Sequence, residues 1–329
     1  MNDIFEKFQW LFMIIVILFG LALGQITYAA DLAALFIMPF IIIMLFGVFL
    51  QVPLKNLRKA LLNKKVTALS LAINFFWTPL FAFGLSRLFF YDSPDVFIAL
   101  IMDLVTPCTD WHLVFTGIAG GHLALSTALL PWNLPLQLTL LPLHLFLFAG
   151  TVVEIELLVF IRSFVSVLLV PFLAVVIARQ IIIHSKGERW FTQKILNKLD
   201  PFQSIFLLLA IMAIFTSQGT ILLENINLVL RLIIPVSLFF AVNFILGHVI
   251  SRVARLSYQE WTSLIMTTLA RNAPLALTIA VAVFPGRPFI PLVLAVESLI
   301  ELPILFVLAQ LLLLIYLNKW WPREGFRQS

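Results

Sequence analysis

Long apolar runs, separated by short polar joints, recur along the whole chain. A helix of about 20 residues spans the roughly 30 Å hydrocarbon core of a bilayer, so each run predicts one transmembrane helix. The ten predicted spans are residues 9–28, 32–50, 66–89, 95–119, 123–149, 157–180, 203–219, 227–250, 258–284 and 289–317. This pattern is typical of an all-α polytopic membrane protein.

The composition agrees with a membrane location. Of the 329 residues, 62% are hydrophobic and 11% are charged, whereas a soluble domain carries roughly a quarter charged residues. No small-residue cleavage pattern follows the first apolar run, so we interpret it as a retained helix and not as a signal peptide. The single cysteine, Cys108, excludes an intramolecular disulfide. The expected environment is the lipid bilayer, and nothing indicates a nucleic-acid or obligate protein partner.

Lysine and arginine are concentrated in alternate joints. With ten spans and a cytoplasmic N-terminus, the basic loops 51–65 and 184–200 and the basic C-terminal tail fall on the inner side, and only Arg87 and Arg287 fall outside. Basic residues accumulate on the cytoplasmic side of membrane proteins. The distribution therefore predicts a multi-pass protein of the cell membrane with both termini in the cytoplasm.

Two predicted spans are interrupted by polar residues near their middle. Span four contains TPCTDW, residues 106–111, and span nine contains RNAP, residues 271–274. At helical rise these breaks lie about 18 and 20 Å from the start of their spans, close to mid-bilayer. Residues 1–150 and 151–329 contain five spans each, and the breaks occupy the fourth span of each half. The pattern predicts two inverted five-helix repeats in a single membrane domain.

Each break contains a proline, Pro107 or Pro274, which removes a backbone donor and disturbs the preceding turn. The freed backbone groups cannot face lipid, so we expect them to line a polar chamber inside the protein. Interrupted helices at corresponding positions indicate the binding site of a transporter. Thr109, Asp110 and His112 beside the first break are therefore candidates for substrate or ion binding.

Arg271 lies in the second break, where an unpaired arginine costs at least about 2.5–3.5 kcal/mol. The acids available to neutralise it are Asp103, Asp110, Glu297 and Glu301. One interpretation is a permanent cation neutralised by an acid such as Asp110. Another is a receptor whose guanidinium fork holds an anionic substrate. The sequence leaves this choice open.

Glu297 and Glu301 are four residues apart, hence on one face of span ten. They lie about 12 and 18 Å along the helix from Phe289. Their mutual repulsion suits proton coupling, although hydrogen-bonded structural acids remain an alternative. The sequence contains no HExxH, GxSxG or P-loop motif. We therefore expect neither an enzyme nor an ATP-driven pump, with no metal site and no cofactor beyond a coupling ion, H⁺ or Na⁺.

Three stretches resemble the bile acid/sodium symporter superfamily, and most closely its arsenite-permease branch. Cys108 in TPCTDW stands where arsenite permeases place a cysteine in their broken fourth span. RNAPLALTIAVAVF and LIELPIL are similar to their ninth and tenth spans. The matching residues there are Asn272, Leu275, Ala276, Leu299, Glu301, Pro303 and Leu305. The resemblance implies two inverted five-helix repeats whose broken helices four and nine cross at mid-membrane.

The resemblance also implies an ion-coupled secondary transporter that works by alternating access and exports arsenite or a related metalloid. Cys108 would then be a soft ligand, although a buried thiol can also be inert. Arg271 and Pro274 depart from the asparagine and glutamate of arsenite permeases, and TTLARNAP lacks the glutamate and glutamine that bind sodium in bile acid carriers. The alternatives are sodium-coupled uptake of an organic anion that contacts Arg271, and a non-transporting receptor or intramembrane enzyme.

Overall fold

The computed structural model describes residues 2–51, 63–109, 111–150, 165, 170–224, 226–318 and 320–321. Asp110, half of predicted span six, most of the basic loop 51–65 and the tail after Trp321 lie outside these ranges. The described residues form helices, turns and irregular segments, and their β-type pairing is one isolated bridge between Pro107 and Arg271. The expected all-α class is confirmed.

The helices are numbered here in chain order. They are α1 (Asn2–Leu23), α2 (Thr27–Gln51), α3 (Lys64–Phe90), α4 (Pro94–Leu104), α5 (Trp111–Ile118), α6 (Leu123–His144), α7 (Val170–Lys186), α8 (Glu188–Phe191), α9 (Asn197–Glu224), α10 (Ile226–Leu230), α11 (Ile233–Val253), α12 (Tyr258–Leu269), α13 (Ala273–Val283) and α14 (Phe289–Leu317). Within α3, the segment Ile73–Trp77 is a π-helical turn.

Several helices have the surface of a membrane protein. Among the described residues, α3, α11 and α14 are long and apolar enough to cross a bilayer, with mean hydropathies of 1.6, 2.2 and 2.4 in their most apolar windows. Large apolar side chains on them are exposed, including Phe76 at 73% and Val253 at 80%. Water would penalise this exposure, at roughly 25 cal/mol per Å² of apolar surface, whereas lipid does not. The chain is a multi-pass membrane protein.

The helices form two compact units, each of which draws on both halves of the sequence. The first unit comprises Met1–Val52, Val153–Leu230 and Ala273–Leu299. Within it α9 packs against α1 and α2, and α2 also contacts α7 and α13. The packing of α1 on α9 depends on Gly20 and Gly24, since a Cβ at Gly24 would lie 2.5 Å from the carbonyl oxygen of Thr216. Glycines at this spacing allow two helix backbones to approach closely.

The second unit comprises Pro53–Val152, Arg231–Asn272 and Ile300–Ser329, and α12 is its central helix. It contacts α3, α5, α6 and α11. Its N-terminus carries a capping box formed by Ser257 and Glu260. The Tyr258 hydroxyl lies 2.6 Å from the carbonyl oxygen of Ala119 and 2.8 Å from that of Leu312. These bonds hold one end of α12, and the candidate site lies at its other end.

Candidate functional site

Both interrupted spans are divided into two helices. α4 ends at Leu104 and α5 begins at Trp111, so Pro107 lies inside the first gap. α12 ends at Leu269 and α13 begins at Ala273. Pro274 is thus the second residue of α13, where the missing N–H has no helical partner to lose. The second interruption precedes this proline.

The two breaks contact each other directly through their backbones. Cys108 N–H donates to the carbonyl of Ala270 at 3.0 Å, and Asn272 N–H donates to the carbonyl of Thr106 at 2.8 Å. The Asn272 side chain adds a bond from Nδ2 to Oγ1 of Thr109 at 3.2 Å. Backbone groups that the helix ends leave unpaired therefore hydrogen-bond to one another. These groups then do not have to face lipid, where they would be unsatisfied.

The guanidinium of Arg271 lies at the C-terminal ends of both half-helices. Nη1 donates to the carbonyl of Leu104 at 2.9 Å, and Nε donates to that of Leu269 at 3.0 Å. Nη2 donates to the carbonyl of Thr268 and, at 3.3 Å, to Oδ1 of Asn74. The C-terminus of a helix carries partial negative charge and stabilises a cation. Arg271 caps α4 and α12 together, and it is only 1% exposed.

Two acids balance this buried cation. Glu301 accepts the backbone N–H of Arg271 through Oε1 at 2.7 Å, and its charge also interacts with the guanidinium. Asp103, one residue before the end of α4, is 2% exposed and interacts electrostatically with Arg271. Among the described residues, these two of the four expected acids are seen to interact with the arginine. The pairing explains how a charge is held inside a membrane protein.

The remaining candidates are Glu297, Asp110, His112 and Cys108. Glu297 is fully buried in α14 but belongs to the first compact unit, and Asp110 is not described. His112, the second residue of α5, is fully buried. Neither of its ring nitrogens has a hydrogen-bond partner among the described residues. Cys108 is fully buried inside the bridge between the breaks and interacts electrostatically with Arg271.

Asn74 is a site residue that the sequence analysis missed. It lies in the π-helical turn of α3, is fully buried, and joins two parts of the site. Its Oδ1 accepts from Arg271, while its Nδ2 donates to the carbonyl of Thr267 at 3.3 Å. The available signal was a lone asparagine in the apolar stretch INFFW, because polar residues in membrane spans face protein or water.

Two interrupted helices that meet at their breaks define a class, the membrane transporters built on discontinuous helices. The profile of the Sodium Bile acid symporter family matches residues 38–225, more than half of the chain. The chain belongs to this family, which confirms the resemblance found in the sequence. It is a transporter and not an enzyme.

Curated relatives cover nearly the whole chain. It is 26% identical over 320 residues to the arsenical-resistance protein Acr3 of Corynebacterium glutamicum, covering 91% of this chain and 86% of that protein. It is 22% identical over 327 residues to the arsenical-resistance protein Acr3 of Alkaliphilus metalliredigens, covering 93% and 92%. It is also 25% identical over 279 residues to the uncharacterized protein YbaS of Bacillus subtilis, covering 84% and 88%.

Proposed function

We propose that this protein exports arsenite or a related metalloid by ion-coupled transport. The observation that carries the proposal is the position of Cys108, buried within the bridge between the two broken helices. Thiolate sulfur suits soft acceptors such as trivalent arsenic. One sulfur cannot chelate arsenic as three would, so binding stays weak enough for release. Two relatives named for arsenical resistance support this substrate.

The proposed framework is an alternating-access carrier with ten spans. Residues 1–150 and 151–329 would form inverted five-helix repeats, and both termini would lie in the cytoplasm. In carriers of this kind one bundle moves against another around a fixed site at the broken helices. The chain's own broken helices and its family membership support this framework.

Arg271 favours protons over sodium as the coupling ion. Carbonyl oxygens at half-helix C-termini are the groups that coordinate a coupling cation in transporters with broken helices. Here the guanidinium already donates hydrogen bonds to the carbonyl oxygens of Leu104, Thr268 and Leu269. A resident cation at these oxygens removes the need for sodium. Buried Glu301 and Asp103 are then the groups to carry a coupled proton.

Sodium-coupled uptake of an organic anion is the second candidate, and the family description favours it. Uptake of an anion requires Arg271 to bind that anion. The contacts of the guanidinium count against this role, because Nε, Nη1 and Nη2 all donate to protein oxygens.

Transport into everted membrane vesicles tests the proposal. We expect an imposed proton gradient to drive arsenite accumulation without sodium. Cys108→Ser should lower the transport rate by about tenfold, equivalent to about 1.4 kcal/mol. Gln25→Ala, at an exposed position outside the site, is the matched control and should transport normally. Absence of arsenite accumulation by the wild type would reject the metalloid substrate, and sodium-dependent uptake of an anion would establish the second candidate.

A further inference from the structure

Helix α6 carries two buried carboxamides that the site described above does not use. Asn133 is fully buried and Gln137 is 1% exposed. Within the described part of the chain, none of their four amide nitrogen and oxygen atoms has a hydrogen-bond partner. Leaving such a group unsatisfied costs about 1–3 kcal/mol. Two of them in one helix are unfavourable for stability, which indicates a role in binding.

The two side chains lie on the same face of α6, because they are four residues apart. The result is a local group of amide donors and acceptors without a net charge.

This pair lies close to the meeting point of the broken helices. α6 contacts α5, α12 and the π-helical turn of α3, three elements that contribute to that meeting point. Asn133 is ten residues beyond Leu123, about 15 Å along α6. The break adjoins Trp111, seven residues before Ile118 and about 10 Å along α5. A short turn joins α5 to α6, so both positions lie about two to three helical turns from it.

The chemistry of the pair selects the type of ligand. A charged solute in a dry interior needs an opposite charge, and carboxamides supply none. A carboxamide does supply both N–H donors and an acceptor oxygen. Hydroxyl groups also donate and accept, so an uncharged molecule with several hydroxyls matches two adjacent carboxamides.

We propose that Asn133 and Gln137 bind the hydroxyl groups of an uncharged trihydroxide. Arsenite in neutral water is such a molecule, As(OH)₃, so its identity as the physiological ligand rests on the proposed function. Each amide oxygen accepts from one hydroxyl, and each amide N–H₂ donates to a hydroxyl oxygen. The pair recognises the neutral form of the solute and discriminates against its anion.

Thermal unfolding of the purified full-length protein in detergent tests this assignment. We use arsenous acid and boric acid, which are both uncharged trihydroxides at neutral pH. Bound ligand raises the melting temperature of the wild type according to its concentration relative to Kd. Asn133→Leu and Gln137→Met, which keep the side-chain volume, should each weaken this response by about tenfold in Kd. Without ligand their melting temperatures should equal or exceed that of the wild type, because an unsatisfied polar group has been removed.

Thr139→Val on the exposed face of α6 is the matched control. Its hydroxyl donates to the carbonyl of Pro135 at 3.0 Å, and the variant should keep the full ligand response. Variants that respond like the wild type, or a wild type that neither trihydroxide stabilises, would overturn the assignment. A fall in the ligand-free melting temperature of both variants would show a structural role instead. Arsenite flux in vesicles tests the proposed function separately. If arsenite is transported but does not raise the melting temperature, the carboxamide site is rejected and the proposed function is retained.

Discussion

At the scale of single residues, Arg271 shows how one charge joins two broken helices. Its donors reach the last residues of α4 and α12, and its own N–H is accepted by Glu301 on α14. An arginine in hydrocarbon is costly, but here carbonyl dipoles and two acids surround it. The same side chain that makes the interruption polar also holds the interruption together.

Replacing Arg271 with methionine should destabilise the protein strongly. The change leaves Asp103 and Glu301 without their cation and the helix-end carbonyls without donors. Removing one partner of a buried ion pair costs about 3–5 kcal/mol. We expect a lower melting temperature and less folded protein in size-exclusion chromatography in detergent.

Arg271→Lys should have an intermediate effect, because an ammonium retains the charge but lacks the planar fork. Arg231→Ala, at an exposed position, serves as the control and should behave as the wild type does. If the methionine variant were as stable as the control, the capping role of Arg271 would be wrong.

At the scale of elements, the fold depends on close approach between helix backbones as well as on side chains. α1 and α9 meet where Gly20 and Gly24 leave no room for a Cβ, with Met212 and Thr216 opposite. The broken spans meet through N–H and carbonyl groups. In lipid, where burial of apolar surface does not drive helices together, such close packing and polar contacts associate them.

Gly24→Ala should therefore destabilise the first compact unit. Its Cβ would meet the backbone oxygen of Thr216 at 2.5 Å, and a backbone cannot rotate away as a side chain can. Overpacking of this kind costs about 1–3 kcal/mol, which thermal unfolding can measure. Gly84→Ala in α3 is the matched change, since nothing lies within 4 Å of the new Cβ. It should be neutral or stabilise by about 0.5–1 kcal/mol, and equal effects of the two changes would contradict the packing described.

At the scale of the whole molecule, each compact unit combines segments from both halves of the sequence. The predicted inverted repeats divide the chain at residue 150 and describe internal symmetry, which is a separate property from compactness. The membrane orientation of the chain stays a prediction from its lysines and arginines.

Cysteine labelling tests that orientation directly. Asp92→Cys and Lys186→Cys introduce thiols at exposed positions on opposite predicted sides, and the native Cys108 is buried. In intact cells a membrane-impermeant maleimide should label the Asp92 variant, because the joint between spans three and four is predicted outside. The Lys186 variant should react only after permeabilisation. The reverse pattern would invert the topology, and labelling of both in intact cells would contradict the predicted odd number of spans between them.

Much of the candidate site could be predicted from the sequence because membrane chemistry is restrictive. Prolines, charged residues and amides are costly in hydrocarbon. TPCTDW and RNAP were therefore expected to lie in the protein interior and to form part of a binding site. Cys108, Arg271, Asn272 and Glu301 do come together in the structure. Asn74 was not predicted, because the sequence around a single amide in an apolar run does not show which group the amide will bind.

The sequence by itself determined that this is an all-helical membrane protein with two interrupted spans, because hydrocarbon tolerates apolar helices and penalises almost everything else. Only the tertiary structure decided that the two interruptions satisfy each other's backbone groups, that the Arg271 guanidinium is committed to helix-end carbonyls, and which acids balance it. These choices depend on distances between segments far apart in the chain. A one-dimensional pattern records the cost of a polar group but not the partner that offsets it.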